Sequence, residues 1–284
     1  MQRWKIGRVT ITKITELETP GPGTFVIPQA TPEALLAAPA WLRPHFVNEA
    51  GEAIMSIHSF VVESEGARIL VDTCVGNDKP RPIPEWDRRS GPFLDDLRRA
   101  GFPPESIDRV LCTHLHVDHV GWNTRLEGGR FVPTFGNARY LIGRTEWEFW
   151  SKAPEDAFGP VLEDSVRPVF DAGLVDLVEG DEALTGEVEL LPTPGHTPGH
   201  VSVRIRSEGA EAVITGDLMH HPVQCAHPEW GSHFDTDPQQ ALATRRAFLE
   251  RFGDRPALVL GTHFAGPTAG HLRRDGEAWR FEPA

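Results

Sequence analysis

Thr113-His114-Leu115-His116-Val117-Asp118-His119 gathers four metal-binding side chains into six consecutive positions. His114 and His116 are two apart, so in an extended or loop conformation they point the same way. Asp118 and His119 are adjacent and diverge. A stretch of this kind suits two metal ions side by side, the first pair of residues on one and the second pair on the other. Three more residues of the same chemistry stand beside small or turn-forming neighbours at the ends of apolar runs: His196, Asp217 and His263. One such residue is unremarkable; five histidines and two aspartates at these places are not.

Imidazole and carboxylate without thiolate suit zinc first, and also iron(II), manganese or cobalt, and they argue against a purely structural thiolate site. Two ions need a bridging ligand. Asp217 fits that role better than Asp118, which directly adjoins His119, a ligand of the second ion. Ions about 3.5–4 Å apart hold a hydroxide between them at neutral pH, which is a nucleophile for hydrolysis.

These residues depend on strands ending where they begin. Ile107–Cys112 reads as a buried strand releasing the first cluster, as α/β enzymes often place chemistry. Before it, Trp4–Leu17 alternates as a strand or hairpin. Ser56–Val62 and Ala67–Val71 form a hairpin around Glu65-Gly66 that ends at Asp72, and Phe93–Arg99 is a short helix. Ala138–Ile142, Leu174–Val178 and Val188–Leu191 are strands, with helices over Thr145–Ser151 and Pro160–Phe170. Val201–Ile205 and Ala212–Ile214 make a second hairpin, ending at Asp217. Asp237 caps a helix over Pro238–Phe252 with proline in its first turn, and Ala257–Leu260 is a last central strand. The halves rhyme, each running hairpin, acid, helix, strand, Thr-His. That pattern predicts a duplicated layout with two sheets sandwiched between helices. Residues 24–48, rich in proline and aromatics around one short helix capped by Thr31, read as a lid, a dimer contact or a loop folded onto its own core.

A formal net charge of −13 argues against a nucleic-acid-binding surface, which usually needs a basic stripe, and against anionic membranes. No apolar run approaches a membrane span, and the opening residues lack the apolar core of a signal peptide, so the expected compartment is the cytoplasm. Cys74, Cys112 and Cys225 form no C-x-x-C pair and read as buried small hydrophobes.

H-x-H-x-D-H at His114–His119, followed by Thr193-Pro194-Gly195-His196-Thr197-Pro198-Gly199-His200, Gly216-Asp217 and Thr262-His263, resembles the metallo-β-lactamase superfamily from Ser56 to His263. The resemblance implies a single domain over 1–284 with the four-layer αβ/βα sandwich. It also implies His114, His116 and His196 on one ion, Asp118, His119 and His263 on the other, and Asp217 bridging. The stretches after Asp217 and His263 look most like the branch of methyl parathion hydrolase and related lactonases, with the N-acyl-homoserine lactonases as near neighbours. In the latter a tyrosine stands three positions after the bridging aspartate. Here that place holds His220, and the one tyrosine is Tyr140. His220 can serve instead as hydrogen-bond donor to an oxyanion, with Asp118 or His220 handling a proton.

The expected activity is opening of a lactone or cleavage of an aryl ester, on a small uncharged substrate, by a homodimer. Alternatives are a phosphotriester hydrolase, a glyoxalase II-like thioester hydrolase and a non-catalytic metal-binding protein. Phe25, Phe46, Trp122, Trp147, Trp150, Trp230 and Phe234 are candidate pocket aromatics. His221 reads as a supporting residue behind the ligands, and His227 and His233 as surface residues.

Overall fold

Two hairpins with the same turn chemistry start the two halves of the molecule. In the computed structural model, which describes residues 2–153 and 157–284, β3 (Ala53–Ser64) and β4 (Ala67–Val71) close on Glu65-Gly66. Later, β11 (Val201–Ser207) and β12 (Ala210–Ile214) close on Glu208-Gly209. Both turns hold two successive residues at positive φ, 50° and 83° in each case, the geometry that matches the twist of antiparallel strands and needs glycine at its second position.

Each hairpin then passes into a parallel crossover. From β4 the chain runs through α2 (Phe93–Arg99) to β5 (Arg109–Cys112), which lies parallel to β4 with Leu70 opposite Val110. From β12 it runs through α5 (Val223–Ala226) and α6 (Pro238–Phe252) to β13 (Leu258–Leu260), parallel to β12 with Val213 opposite Val259. Asp72 and Asp217 therefore leave the ends of β4 and β12 beside the Thr-His pairs that leave β5 and β13. The duplicated layout read from the chain is present.

Around these pairs the first sheet is completed by β1 (Arg3–Ile6), β2 (Val9–Gly21), β8 (Arg139–Gly143) and β9 (Val175–Val178), in the order β1-β2-β3-β4-β5-β8-β9. The second is completed by β10 (Val188–Pro192), β14 (Ala269–Asp275) and β15 (Ala278–Pro283), in the order β10 to β15. Phe60, Val62, Leu111, Val203, Ile205 and Ile214 fill the space between the sheets. Outside the first sheet lie α2, α3 (Arg144–Trp150) and α4 (Arg167–Asp171), and outside the second lie α5 and α6. This is the four-layer αβ/βα sandwich.

Three details depart from expectation. The chain continues past β13 into the β14–β15 hairpin, whose Gly270, Arg273 and Arg274 blur its alternation; Leu272, Trp279 and Phe281 bury its inner face. A small ribbon of β6 (Thr124–Glu127) and β7 (Arg130–Pro133) lies apart from both sheets. The helix expected over Pro160–Phe170 is broken by a π-helical turn at Leu162–Val166 before α4. Pro168 has no N–H for the carbonyl four residues back, and that carbonyl, of Asp164, accepts the Thr124 hydroxyl instead.

Residues 24–48 are not a free lid. Val26, Ile27, Leu35 (on α1, Pro32–Ala37), Leu42, Phe46 and Val47 are buried in one cluster with Phe248, Leu249 and Phe252 of α6. At roughly 1.5–3 kcal/mol per buried large side chain, lifting this segment would consume much of a domain's about 5–15 kcal/mol. Phe25 and Leu36 remain exposed on it. Among the described residues no helix is long and apolar enough to cross a membrane. All three cysteines are buried, and burial pushes the Cys112 and Cys225 thiols up to about 12.

Candidate metal centre

Beyond β5, the turn carrying the first cluster is tied down by Asp72. Its carboxylate accepts the Thr113 N–H (2.8 Å) and hydroxyl (2.9 Å) and faces His119 Nδ1 at 3.0 Å. A second carboxylate, Asp235 from the loop before α6, faces His196 Nδ1 at 3.0 Å. The Ser56 carbonyl of β3 faces His263 Nδ1 at 2.9 Å. Ionised carboxylates and carbonyls only accept hydrogen bonds, so the proton of each of these three imidazoles sits on Nδ1 and the Nε2 lone pair is directed away from it. Support of this kind on the far nitrogen is what metal-ligating histidines require.

Those lone pairs converge. The ligand atoms of His114, His116 and His196 lie within 4.8 Å of one another, as do those of Asp118, His119 and His263. Between the two sets stands Asp217. Its Oδ2 is 3.3 Å from His119 Nε2, 3.5 Å from His196 Nε2 and 3.7 Å from His114 Nε2, and its Oδ1 is 3.2 Å from His263 Nε2. All seven residues expected as ligands are thus brought together, with the expected bridge reaching both sets.

The donors fit a pair of cations. His114 Nε2, His119 Nε2 and Asp217 Oδ1 are buried with no hydrogen-bond partner, and an orphaned buried polar atom costs about 1–3 kcal/mol. His196 Nε2, already identified as a lone pair, lies 2.9 Å from His116 Nδ1. Without cations, burial pulls His114 well down and His196 down to about 4. Burial also acts to lower His119 and His263, but there the carboxylates of Asp217 and Asp118 outweigh it and push both up. Protons would stand where divalent ions belong.

His220 enters the same space. Its Nε2 is 3.2 Å from Asp217 Oδ2, its ring lies parallel to His263 and 4.9 Å from His196, and its Nδ1 is buried with no hydrogen-bond partner. It also groups with His196 and Asp217 as a set that could hold a metal. Tyr140 offers no substitute for a site tyrosine, since it is buried in β8 with its hydroxyl donating to the Asn123 carbonyl at 2.9 Å.

Other expectations need correcting. His221 does not support a ligand: its Nε2–H donates to the Phe46 carbonyl at 2.8 Å and its Nδ1 accepts the Val223 N–H at 3.1 Å, which ties the loop after Asp217 to residues 24–48. Of the candidate pocket aromatics, Phe46 and Trp122 are core, Trp147 stacks on Phe170 and Trp230 on His227. Trp150 alone among the seven has its ring against a ligand, 5.3 Å from His116. Phe25 and Phe234 meet each other at 5.7 Å. His233 is exposed and His227 half-buried, beside Glu229.

Sequence reasoning passed over Asp235, Glu146 and His200. His200 accepts the Asp217 N–H on Nε2 at 2.8 Å and so orients the bridge. The second His of the repeated T-P-G-H signals it; Asp235 and Glu146 have no local signal.

Burial sets an acid limit on the fold. It holds His221 at about 4 against about 6.5 in an unfolded chain. The unfolded state protonates first, so the stability tied to neutral His221 is complete above about pH 6.5 and is gone once pH has fallen through about 4, some 3 kcal/mol in all. Denaturant unfolding at pH 7.5 and 4.5 should show a smaller stability loss for His221→Gln than for the unsubstituted protein; equal losses would contradict this.

The profile of the Metallo-beta-lactamase superfamily matches residues 54–263, and the chain belongs to that superfamily. Among curated proteins it is 28% identical over 197 residues to an N-acyl homoserine lactonase of a Bacillus species, and 26% over 197 residues to N-acyl homoserine lactonase AiiA of Bacillus thuringiensis subsp. kurstaki. Each match covers 65% of this chain and 65% of the relative, so the chain spans less than two thirds of the length of these proteins. Among solved structures, AidC, described as a dizinc quorum-quenching lactonase in complex with a product, superposes with a TM-score of 0.79 at 24% identity, covering 100% of this chain and 97% of AidC. The hydrolase AbOPH superposes with a TM-score of 0.81 at 24% identity, covering 99% and 96%. At these identities the superpositions establish the fold.

Proposed function

We propose that the protein is a dinuclear metal-dependent hydrolase that opens a lactone or cleaves an aryl ester, zinc being the expected metal. His114, His116 and His196 would hold one ion, Asp118, His119 and His263 the other, and Asp217 both. The observation that carries this reading is the convergence of seven donors, three of them histidines whose partners fix the proton on the far nitrogen. The lactonase names among the relatives support the substrate class. When bound, two such ions supply Lewis acidity and a water acidified to near neutral pH.

The chain's own residues do the rest. Water adds to the ester carbonyl and gives up a proton to Asp118, the bond from the acyl carbon to the leaving oxygen breaks, and the departing alkoxide or phenoxide takes a proton. Asp118, with its side chain 15% exposed against 5% for Asp217, is the more open of the two donor carboxylates and returns that proton. His220 presents Nε2 to the oxygen on which negative charge develops and donates a hydrogen bond there. A glutathione thioester would call for basic residues to meet its carboxylates, and the C-terminal pair Arg273 and Arg274 is already engaged by Glu282 and by Glu250 and Trp279.

The test is kcat/KM over a panel of lactones, aryl esters, a thioester and a phosphotriester after zinc, cobalt or manganese loading. Lactones or aryl esters should lead. A phosphotriester or thioester in the lead would move the substrate assignment, and no turnover of any member would end the hydrolase reading. His220→Ala should lower kcat on the best substrate about 10²- to 10³-fold with metal content unchanged. Loss of metal would make His220 a ligand instead.

A further inference from the structure

Glu146, on α3, is 1% exposed and forms no ion pair with Lys or Arg among the described residues. Its carboxylate is satisfied by three N–H donors. Oε1 accepts the Leu115 N–H at 3.1 Å and the Trp150 indole N–H at 2.7 Å, and Oε2 accepts the Gly199 N–H at 3.0 Å. Leu115 lies between His114 and His116. Gly199 closes the turn that carries His196. Trp150 has its ring edge-on to His116. One side chain thus reaches the supports of all three residues in one ligand set, and none of its bonds touches a support of Asp118, His119 or His263.

The turn is built around this contact. A Cβ on Gly199 would lie 2.4 Å from the Glu146 nitrogen, so glycine alone lets the chain come close enough for the third bond. Burial raises the carboxyl, and the Thr197 side chain together with the hydrogen bonds from Leu115, Trp150 and Gly199 opposes that shift. A buried carboxylate costs several kcal/mol unless its hydrogen bonds are complete. A Gln here cannot match the pattern, because its amide NH2 would face an N–H donor on one side or the other.

We propose that Glu146 is a positioning residue for the His114–His116–His196 metal set, acting on that set and not on its neighbour. This rests on the dinuclear reading above. It makes the two metal sites separable by a substitution that removes no ligand.

Cobalt(II) titration of chelator-stripped protein, followed by visible absorption and by competition with a chromophoric chelator, tests it. The unsubstituted protein should take up two ions per chain. Glu146→Gln should bind one as tightly as before and the other about 10- to 100-fold more weakly, and its spectrum at one ion should match that of His116→Ala. Trp150→Phe, which keeps the carboxylate and removes one donor, should weaken the same site by a smaller factor. Two sites of unchanged affinity in Glu146→Gln, or equal weakening of both, would overturn the proposal. If Glu146→Gln does not fold, Trp150→Phe decides alone, and unchanged or equally weakened sites in it are the overturning result. No cobalt binding by the unsubstituted protein would remove the dinuclear reading, and this inference with it.

Discussion

Asp217→Asn is expected to lower kcat/KM on the best substrate by about three to four orders of magnitude and to leave the purified protein with fewer than two metals per chain. The size follows from geometry. Asp217 is the residue whose two oxygens face both histidine sets, Oδ2 toward His114, His119 and His196 and Oδ1 toward His263. An amide keeps one acceptor oxygen and turns an NH2 toward the other set, which repels a cation there. If metal assistance supplies several kcal/mol of transition-state stabilisation, its loss at about 1.4 kcal/mol per tenfold gives the range stated. Conservative as it is in volume, this substitution should hurt more than His220→Ala, which leaves the ligand set whole. Metal analysis by atomic emission together with steady-state kinetics checks both halves. An Asp217→Asn protein with two tightly held ions and near-normal kcat/KM would show that the bridge is misassigned.

Removing the ions is expected to have the largest effect on stability. Three Nε2 lone pairs, His114 Nε2 and the carboxylates of Asp118 and Asp217 crowd one buried space. Without cations the cluster must take up protons or leave polar atoms unsatisfied. An ion at about a thousand times its Kd adds roughly 4 kcal/mol per site to the folded state. At roughly 2–4 °C per kcal/mol for a chain of this size, loading both sites should raise Tm by about 15–30 °C over the chelated protein. The effect should also depend on pH, because the histidines must be neutral to bind: against burial, Asp217 and Asp118 raise His119 and His263 in the folded, metal-free protein, so protons compete with the ions and the metal-induced shift should shrink as pH falls. Calorimetry with chelator and with added zinc, at pH 7.5 and 5.5, measures it. Equal melting with and without metal at pH 7.5 would be incompatible with a buried dinuclear centre.

The seven donors could be read from the chain because this chemistry is local in kind. His114, His116, Asp118 and His119 are close in sequence, and His196, Asp217 and His263 each sit where an apolar run stops at small or turn residues. The duplicated layout was legible for the same reason, since Glu65-Gly66 and Glu208-Gly209 mark two hairpins before two crossovers. Period and turn chemistry are properties of neighbouring residues, and neighbours are visible.

Which distant groups stand behind the donors is a matter of packing. Asp72 meets His119 across 47 positions, Asp235 meets His196 across 39, and Ser56 meets His263 across 207. The partners are ordinary residues whose meaning comes from packing. Glu146 reads on the chain as a helix carboxylate like Glu148, yet one is buried against two ligand turns and the other lies in solvent. His220 and His221 are adjacent in sequence, and the backbone between them sends one ring into the metal centre and the other to the Phe46 carbonyl. Local residue order carries the seven candidate donors and the layered fold that gathers them. The proton positions on His119, His196 and His263, and so the direction of their lone pairs, were decided by hydrogen bonds from chain segments that only folding brings near.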